Sequence, residues 1–307
     1  MVNALLEGET LGLDCVQVFT KNQQQWKAKP LDPGMVRDWH LKVGELKWNA
    51  GGPHGRGGIV SHSSYLINLA SVNDELWAKG VDLMTDEIER CETLGIPYLV
   101  HHPGSHVGGD LETGLSRIAN AYGEIFRRTK GARTVSCLEG TVGAGSTIGA
   151  PFEHLCTLRA RIVETTGEPD RIGFCLDTCH LHAAGHDLST RSAAESVLNA
   201  FDTQCGVGNL HVLHVNDSKG PLASKLDRHD HIGHGWIGGG ATKHTGEGTF
   251  SAAKLRSSGF AAVLNHPRIR VIPKIMETPK GVRETPSGRS TSWDQINLKR
   301  LRGLQES

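Results

Sequence analysis

Five apolar runs in this sequence each end on a side chain that binds metals: IVSH at His62, YLVHH at His102, TVSCLE at Glu139, IGFCLD at Asp177 and HVLHVND near His214. A sixth, VIPKIMET, leads to Glu277. A lone His or Glu at such a place is more often a hydrogen-bonded core residue. Six of them at one structural position, over more than two hundred residues, need a common cause. Mixed imidazole and carboxylate donors suit zinc, and also manganese or iron, and the 17 histidines favour zinc. The pattern points to a polynuclear metal site. Two further strings add donors. In DTCHLHAAGHD, Asp177 and His180 lie three apart just past a strand, whereas His182 and His186 read as support or surface. In KLDRHDHIGHG, Asp227 and His229 lie two apart, and an i, i+2 pair in extended chain projects to one side. The same argument applies to His229 with His231, so spacing leaves that choice open.

The elements that must position these residues follow from periodicity. Strand-like runs fall at 15–20, 58–62, 97–102, 134–139, 172–177, 210–216 and 271–277. Helical patterns at 74–94, 111–130, 152–166 and 189–204 separate them and are long enough for right-handed crossovers. Such alternation predicts a parallel α/β sheet, and ligands at strand ends converge if the sheet closes as a TIM-type (β/α)8 barrel. That barrel needs eight strands and seven are found. The amphipathic segment Asn3 to Leu11 resembles the helix after a first strand, so the missing strand belongs between the runs at 15–20 and 271–277, where its loss leaves two edges. Between a translation start upstream of Met1 and a working seven-stranded barrel with a tail over the gap, the former is the expectation.

Length and composition fit one barrel domain over residues 1–307, without a break or linker. The formal net charge of zero gives no overall basic excess, so any phosphate contact must be local. Seven cysteines, an odd number at low density, read as reduced thiols. Cys137 and Cys175, two residues before Glu139 and Asp177, should point into the barrel. No stretch is long and apolar enough to span a membrane, and the acidic N-terminus is unlike an export signal, which makes the cytoplasm the expected location. Two Gly-rich stretches, 51–58 and 238–248, read as flexible insertions; the second serves equally well as a lid or as plain surface.

The sequence resembles the endonuclease IV family of apurinic/apyrimidinic endonucleases over almost its whole length. The resemblance is carried by FTKNQQQW (19–26), SHSSYLINLA (61–70), HPGSH (102–106), CLDTCHLHAAGHDL (175–188), HVNDSKGPLASKLDRH (214–229) and METPKG (276–281). It implies a barrel of the xylose-isomerase-like kind holding three Zn2+ per chain, with Mn2+ or Fe2+ able to replace one or more. His62, His102 and Glu139 would hold one ion. Glu139, as the catalytic bridging carboxylate, would share a second with Asp177, His214 and Glu277. His180, Asp227 and His229 would hold the third. The resemblance also favours His102 over His101 and His229 over His231. It implies a monomer acting on duplex DNA with an abasic site, cut on the 5′ side, or with a blocked 3′ end. Gln23, Gln24, Trp26 and Tyr65 stand in motifs that contact DNA in the family. Relatives often carry Arg at the position of Gln24, so weaker and less salt-dependent binding is expected here. Lys219, Lys225 and Arg228 lie nearby and would meet phosphates, although a solvated loop explains them equally well. The family's first strand, with its AHxSxAGG-type loop, has no counterpart in residues 1–307, and none of the nine implied ligands lies on it.

Two other readings share this barrel. Sugar isomerases and epimerases use one or two ions to polarise a hydroxyl-carbonyl pair, and would not need the group of His180, Asp227 and His229. A non-catalytic abasic-DNA-binding paralogue would keep the binding loops and would not need all nine ligands.

Overall fold

Short buried strands alternate with capped amphipathic helices. The structure, a computed structural model, describes residues 1–48, 58–241, 249–284 and 290–306. In chain order the elements are α1 (Val2–Leu11), β1 (Val16–Val18), α2 (Pro33–Glu45), β2 (Ile59–His62), α3 (Asp74–Leu94), β3 (Tyr98–His101), α4 (Leu111–Arg128), β4 (Val135–Glu139), α5 (Phe152–Thr166), β5 (Ile172–Asp177), α6 (Thr178–Ala184), α7 (Arg191–Cys205), β6 (Leu210–His214), α8 (Ala252–Ser257), α9 (Gly259–Asn265), β7 (Lys274–Ile275) and α10 (Trp293–Arg302). Two small antiparallel ribbons pair outside the main sheet, Asp217–Ser218 with His229–Asp230 and Val282–Glu284 with Ser290–Ser292.

Local chemistry sets the boundaries. The Asn73 side chain accepts from the Leu76 amide and caps α3, which ends at Gly95 in the left-handed region (φ 66°). Asp110 caps α4 in the same way, and Leu115, Ile118, Tyr122 and Ile125 recur at helical spacing on its buried face. No helix among the described residues is long and apolar enough to cross a membrane.

Among the described residues, seven barrel strands are parallel and pair in chain order, β1 through β7. The ring is nearly closed. The expected gap lies where the sequence placed it, between β1 and β7, which share no ladder. The last strand is shorter than the predicted 271–277, covering only Lys274–Ile275. Residues 271 and 272 belong to a turn and bend, and Pro273 has no N–H to donate to a ladder.

A cavity of about 980 Å³ occupies this seam, and residues of both α1 and α10 contribute to its wall. Side chains bridge it at two levels. Cys15 Sγ donates to the Lys274 carbonyl (3.3 Å), and nearer the strand ends Gln17 Nε2 donates to Glu277 Oε1 (2.7 Å). Outside, Arg302 of α10 reaches the Gly12 carbonyl and the Asp14 carboxylate, so the C-terminal helix partly covers the gap. All seven cysteines are free.

Candidate metal centre

Six strand ends deliver side chains to one pocket by simple alternation. Val60, Val100, Cys137, Cys175, Val212 and Ile275 form a buried apolar cluster inside the ring. Two residues after each stands His62, His102, Glu139, Asp177, His214 or Glu277. In extended chain i and i+2 share a face, so the candidate ligands form the next layer, at the C-terminal ends of the strands.

Glu139, 1% exposed, lies at the centre. Its Oε2 is 3.2 Å from His62 Nε2 and 3.1 Å from His102 Nε2, and its Oε1 is 3.0 Å from His214 Nδ1 and 3.4 Å from His180 Nδ1. His214 Nδ1 is 3.1 Å from Glu277 Oε2 and 3.8 Å from Asp177 Oδ2. Asp227 Oδ1 is 3.3 Å from His180 Nε2 and 3.6 Å from His229 Nε2, which in turn is 3.5 Å from Asp177 Oδ2. All nine residues singled out from the sequence therefore belong to one network. Three groups have ligand atoms within 4.8 Å of one another: His62, His102 and Glu139; Glu139, Asp177, His214 and Glu277; and His180, Asp227 and His229.

The imidazoles are set up as donors of lone pairs. His62, His180 and His229 each place Nδ1 within 2.9 to 3.1 Å of a backbone carbonyl, of Ser63, Gly140 and Glu277 respectively. With the proton on Nδ1, each Nε2 is left free toward the pocket. His229 Nε2 is buried without a hydrogen-bond partner, an orphan atom that a cation would satisfy. His214 is turned the other way. Its Nε2 meets Gln17 Oε1 at 2.9 Å, which leaves Nδ1 for the carboxylates.

The electrostatics call for positive charge. Burial would raise the Glu139 carboxyl, but the His214 and His102 imidazoles overcome it and hold that carboxyl well below its usual range. Burial likewise works against protonating His180, yet Asp177, Asp227 and Glu139 carry it up to about 10. Protons do in this pocket what divalent cations would do. Cys175 and Cys179 come close enough to complete two further groups, Glu139–Cys175–His214 and Asp177–Cys179–His229. Burial pushes Cys175 up to about 12 and Cys179 up as well, and Cys137 and Cys175 belong to the apolar layer, in keeping with their reading as core thiols.

The alternatives left by spacing resolve in three dimensions. The His101 ring turns outward, its Nε2 on the Tyr122 hydroxyl at 2.5 Å. His231 stacks on Trp293, with ring centroids 3.7 Å apart. His186 stacks on Phe152, and His182 is buried beside the Leu188 amide. Both are supports.

Two neighbours were missed in the sequence. Asn216 Nδ2 donates to Asp177 Oδ2 and its Oδ1 accepts from the Glu277 amide, both at 2.6 Å, while Gln17 holds both His214 and Glu277. The available signal was alternation: Asn216 follows His214 by two, and Gln17 follows Cys15 by two.

Around the pocket mouth, Tyr65 is 59% exposed and its ring packs 5.4 Å from His62 and 5.8 Å from Phe19. Trp26 is 40% exposed, Gln24 is exposed and Gln23 half-buried, all on the loop after β1. Lys219, Lys225 and Arg228 are exposed. The loop leading to Asp227 holds Ala223 and Lys225 in the left-handed region (φ 61° and 55°), a conformation costing about 1 kcal/mol or more for each. It is pinned by their amides to the carbonyls of His182 and Ala183. Of the two Gly-rich stretches, residues 51–57 and 242–248 lie outside the described residues. Gly238 donates its amide to the buried Asp217.

Comparison with known proteins agrees with this geometry. A family described as "Xylose isomerase-like TIM barrel" matches residues 6–244. The chain is 38% identical over 297 residues to a probable endonuclease 4 of Chloroflexus aurantiacus, covering 97% of this chain and 91% of that protein. Among solved structures, endonuclease IV from Thermus thermophilus superposes with a TM-score of 0.74 at 31% identity, over 98% of this chain and 93% of that one. A D-tagatose 3-epimerase-like protein, 16% identical with a TM-score of 0.66 over 99% of this chain and 92% of that one, shares the fold.

Proposed function

This chain belongs to the endonuclease IV family, and from that premise we propose that it is a metal-dependent phosphodiester hydrolase acting on duplex DNA. It cuts 5′ to an abasic site, leaving a 3′-hydroxyl and a 5′ deoxyribose phosphate, and trims blocked 3′ ends with the same site. The observation that carries this reading is the ligand layer, three groups of donors joined through Glu139. His62 and His102 with Glu139 would hold one ion, Asp177, His214 and Glu277 beside Glu139 a second, and His180, Asp227 and His229 a third. Three zinc ions fit the donor set, with manganese or iron as substitutes. Bound there, such ions would supply a nucleophile from water near neutral pH and positive charge for the oxygens of an in-line displacement.

The chain's own residues do the rest. Backbone carbonyls fix the tautomers of His62, His180 and His229, and Gln17 fixes that of His214. Asn216 orients Asp177. Tyr65, Trp26, Gln23 and Gln24 enter the duplex, whose missing base lowers the cost of unstacking. Lys219, Lys225 and Arg228 meet phosphates locally, which a chain of zero net charge requires. The enzyme works as a monomer of one barrel domain, in the cytoplasm.

The test is incision of an end-labelled duplex carrying one stable abasic analogue, by protein of measured metal content, before and after prolonged chelation. Cleavage on the 5′ side, lost as about three zinc ions per chain are removed, is the expected result. A folded, metal-loaded protein that leaves the duplex intact would turn attention to sugar substrates or to a binding role.

A further inference from the structure

The metal layer accounts for the ends of the strands but not for a charged cluster buried behind them. Lys21, Glu87 and Arg90 have side chains no more than 7% exposed, and Thr20 and Ser64 are buried with them. Charges so buried persist only where each is paired and hydrogen-bonded. The pairing here has a direction. One oxygen of Glu87 accepts from the Thr20 hydroxyl at 2.8 Å, on the loop after β1. The other accepts from the Ser64 amide at 3.1 Å, on the loop after β2, with Lys21 Nζ 3.6 Å away. Ser64 then closes the triangle by donating its hydroxyl to the Gln23 carbonyl at 2.7 Å.

The rest of the α3 surface holds the first loop at its ends. Arg90 donates to the carbonyls of Thr20 and Lys29, and Lys21 donates to Asp86. Gln23, Gln24 and Trp26 lie between those anchor points, and Tyr65 follows Ser64 directly. Two residues before Ser64 is His62, part of the metal layer. A single carboxylate on α3 thus meets both loops that carry Gln23, Gln24, Trp26 and Tyr65.

We propose that Glu87 is a positioning residue for lesion recognition, joining the loops after β1 and β2 into one unit held at fixed height above the metal pocket. The inference rests on the nuclease reading given above. Glu87 touches none of the nine residues of the metal layer, and it acts through Thr20, Ser64 and Gln23. An apolar residue in its place would leave the Ser64 amide and the Lys21 ammonium buried without it, and the loops would no longer share an anchor.

The experiment compares the metal-loaded wild type with Glu87→Ala, Glu87→Gln and Thr20→Val on the abasic duplex, with metal content and thermal unfolding measured on each. Glu87→Ala is expected to raise KM at least about ten-fold while kcat stays within a few-fold and metal content is unchanged, the signature of lost binding rather than lost chemistry. Glu87→Gln keeps an acceptor for Ser64 and a group for Thr20, and should recover most of the KM. Thr20→Val frees only the first loop and should raise KM by less, which keeps the idea testable if Glu87→Ala does not fold. A wild type that cleaves, with variants whose KM is unchanged and whose unfolding temperature alone falls, would overturn the proposal and leave the nuclease reading intact. A wild type that does not cleave removes the nuclease reading, and the proposal with it.

Discussion

Two layers of the same six strands differ completely in chemistry. The lower one, Val60, Val100, Cys137, Cys175, Val212 and Ile275, is apolar and close-packed. The upper one, two residues on, is His62, His102, Glu139, Asp177, His214 and Glu277. Backbone geometry is shared, so the difference lies only in side chains, and the lower layer is what makes the upper one rigid. A packed apolar floor keeps water from beneath the ligands and fixes the strand spacing, on which the distances among imidazoles and carboxylates depend.

The comparison is broken most severely at its centre. Glu139→Gln keeps the shape and removes the shared negative charge, and should lower the rate of abasic-site cleavage by at least about 10³-fold, at or beyond the upper end for a single electrostatic group. Much of the DNA binding should survive, as a gel-shift titration would read.

A second test separates the layers by pH. In the metal-free chain His180, against the pull of burial, is carried up from 6.5 to about 10, chiefly by Asp177 and Asp227. Its contribution to stability is complete below 6.5 and is lost as pH rises toward 10. Burial would raise Glu277, but His214 holds it down at about 2, so its contribution is present above 4.5 and is lost as pH falls toward 2. The chelated protein should therefore unfold at the highest temperature between 4.5 and 6.5. The metal-loaded protein should gain stability as pH rises past that window, because ions displace those protons. Parallel melting curves for the two forms would contradict this account of the upper layer.

The lower layer is probed by Val100→Ala. It should cost about 2 kcal/mol of unfolding free energy through the cavity it leaves, while metal stoichiometry by mass spectrometry stays the same. The smallest change lies outside both layers. Gln24→Arg adds one cation to an exposed loop, and should steepen the dependence of log affinity on log salt by about 1 if it reaches a phosphate.

Much of this arrangement was legible because it is local. A strand ending on a ligand, with an apolar residue two positions earlier, is a period-2 signal, and it located the upper layer in the sequence. Alternation failed where a shift of one residue reverses the face. His101 and His102 both end the same run, and the choice between them depends on where β3 stops and on Tyr122, a partner on α4. His231 is withdrawn from the pocket by Trp293, sixty-two residues later, which no window could reveal. Glu87 escaped for the same reason, since its partners lie on two other loops, whereas Gln17 and Asn216 stood on the alternation itself and only their partners were out of reach. The seam was visible as a missing count of one strand, but the hydrogen bonds that span it were not.

Across that seam β1 and β7 are joined by side chains and not by a ladder, and a pair of side-chain bonds yields more readily than a ladder does. Gln17 stands on one lip and Glu277 just past the other, and the bond between them lies among the donors themselves. Any widening of the seam would draw Gln17 away from His214 and Glu277 before it disturbed the ladders between neighbouring strands. An ion held by His214 and Glu277 would steady both partners of Gln17, so the amides of β1 and β7 should exchange with solvent more slowly as the donors fill, coupling the girth of the barrel to its cargo of metal.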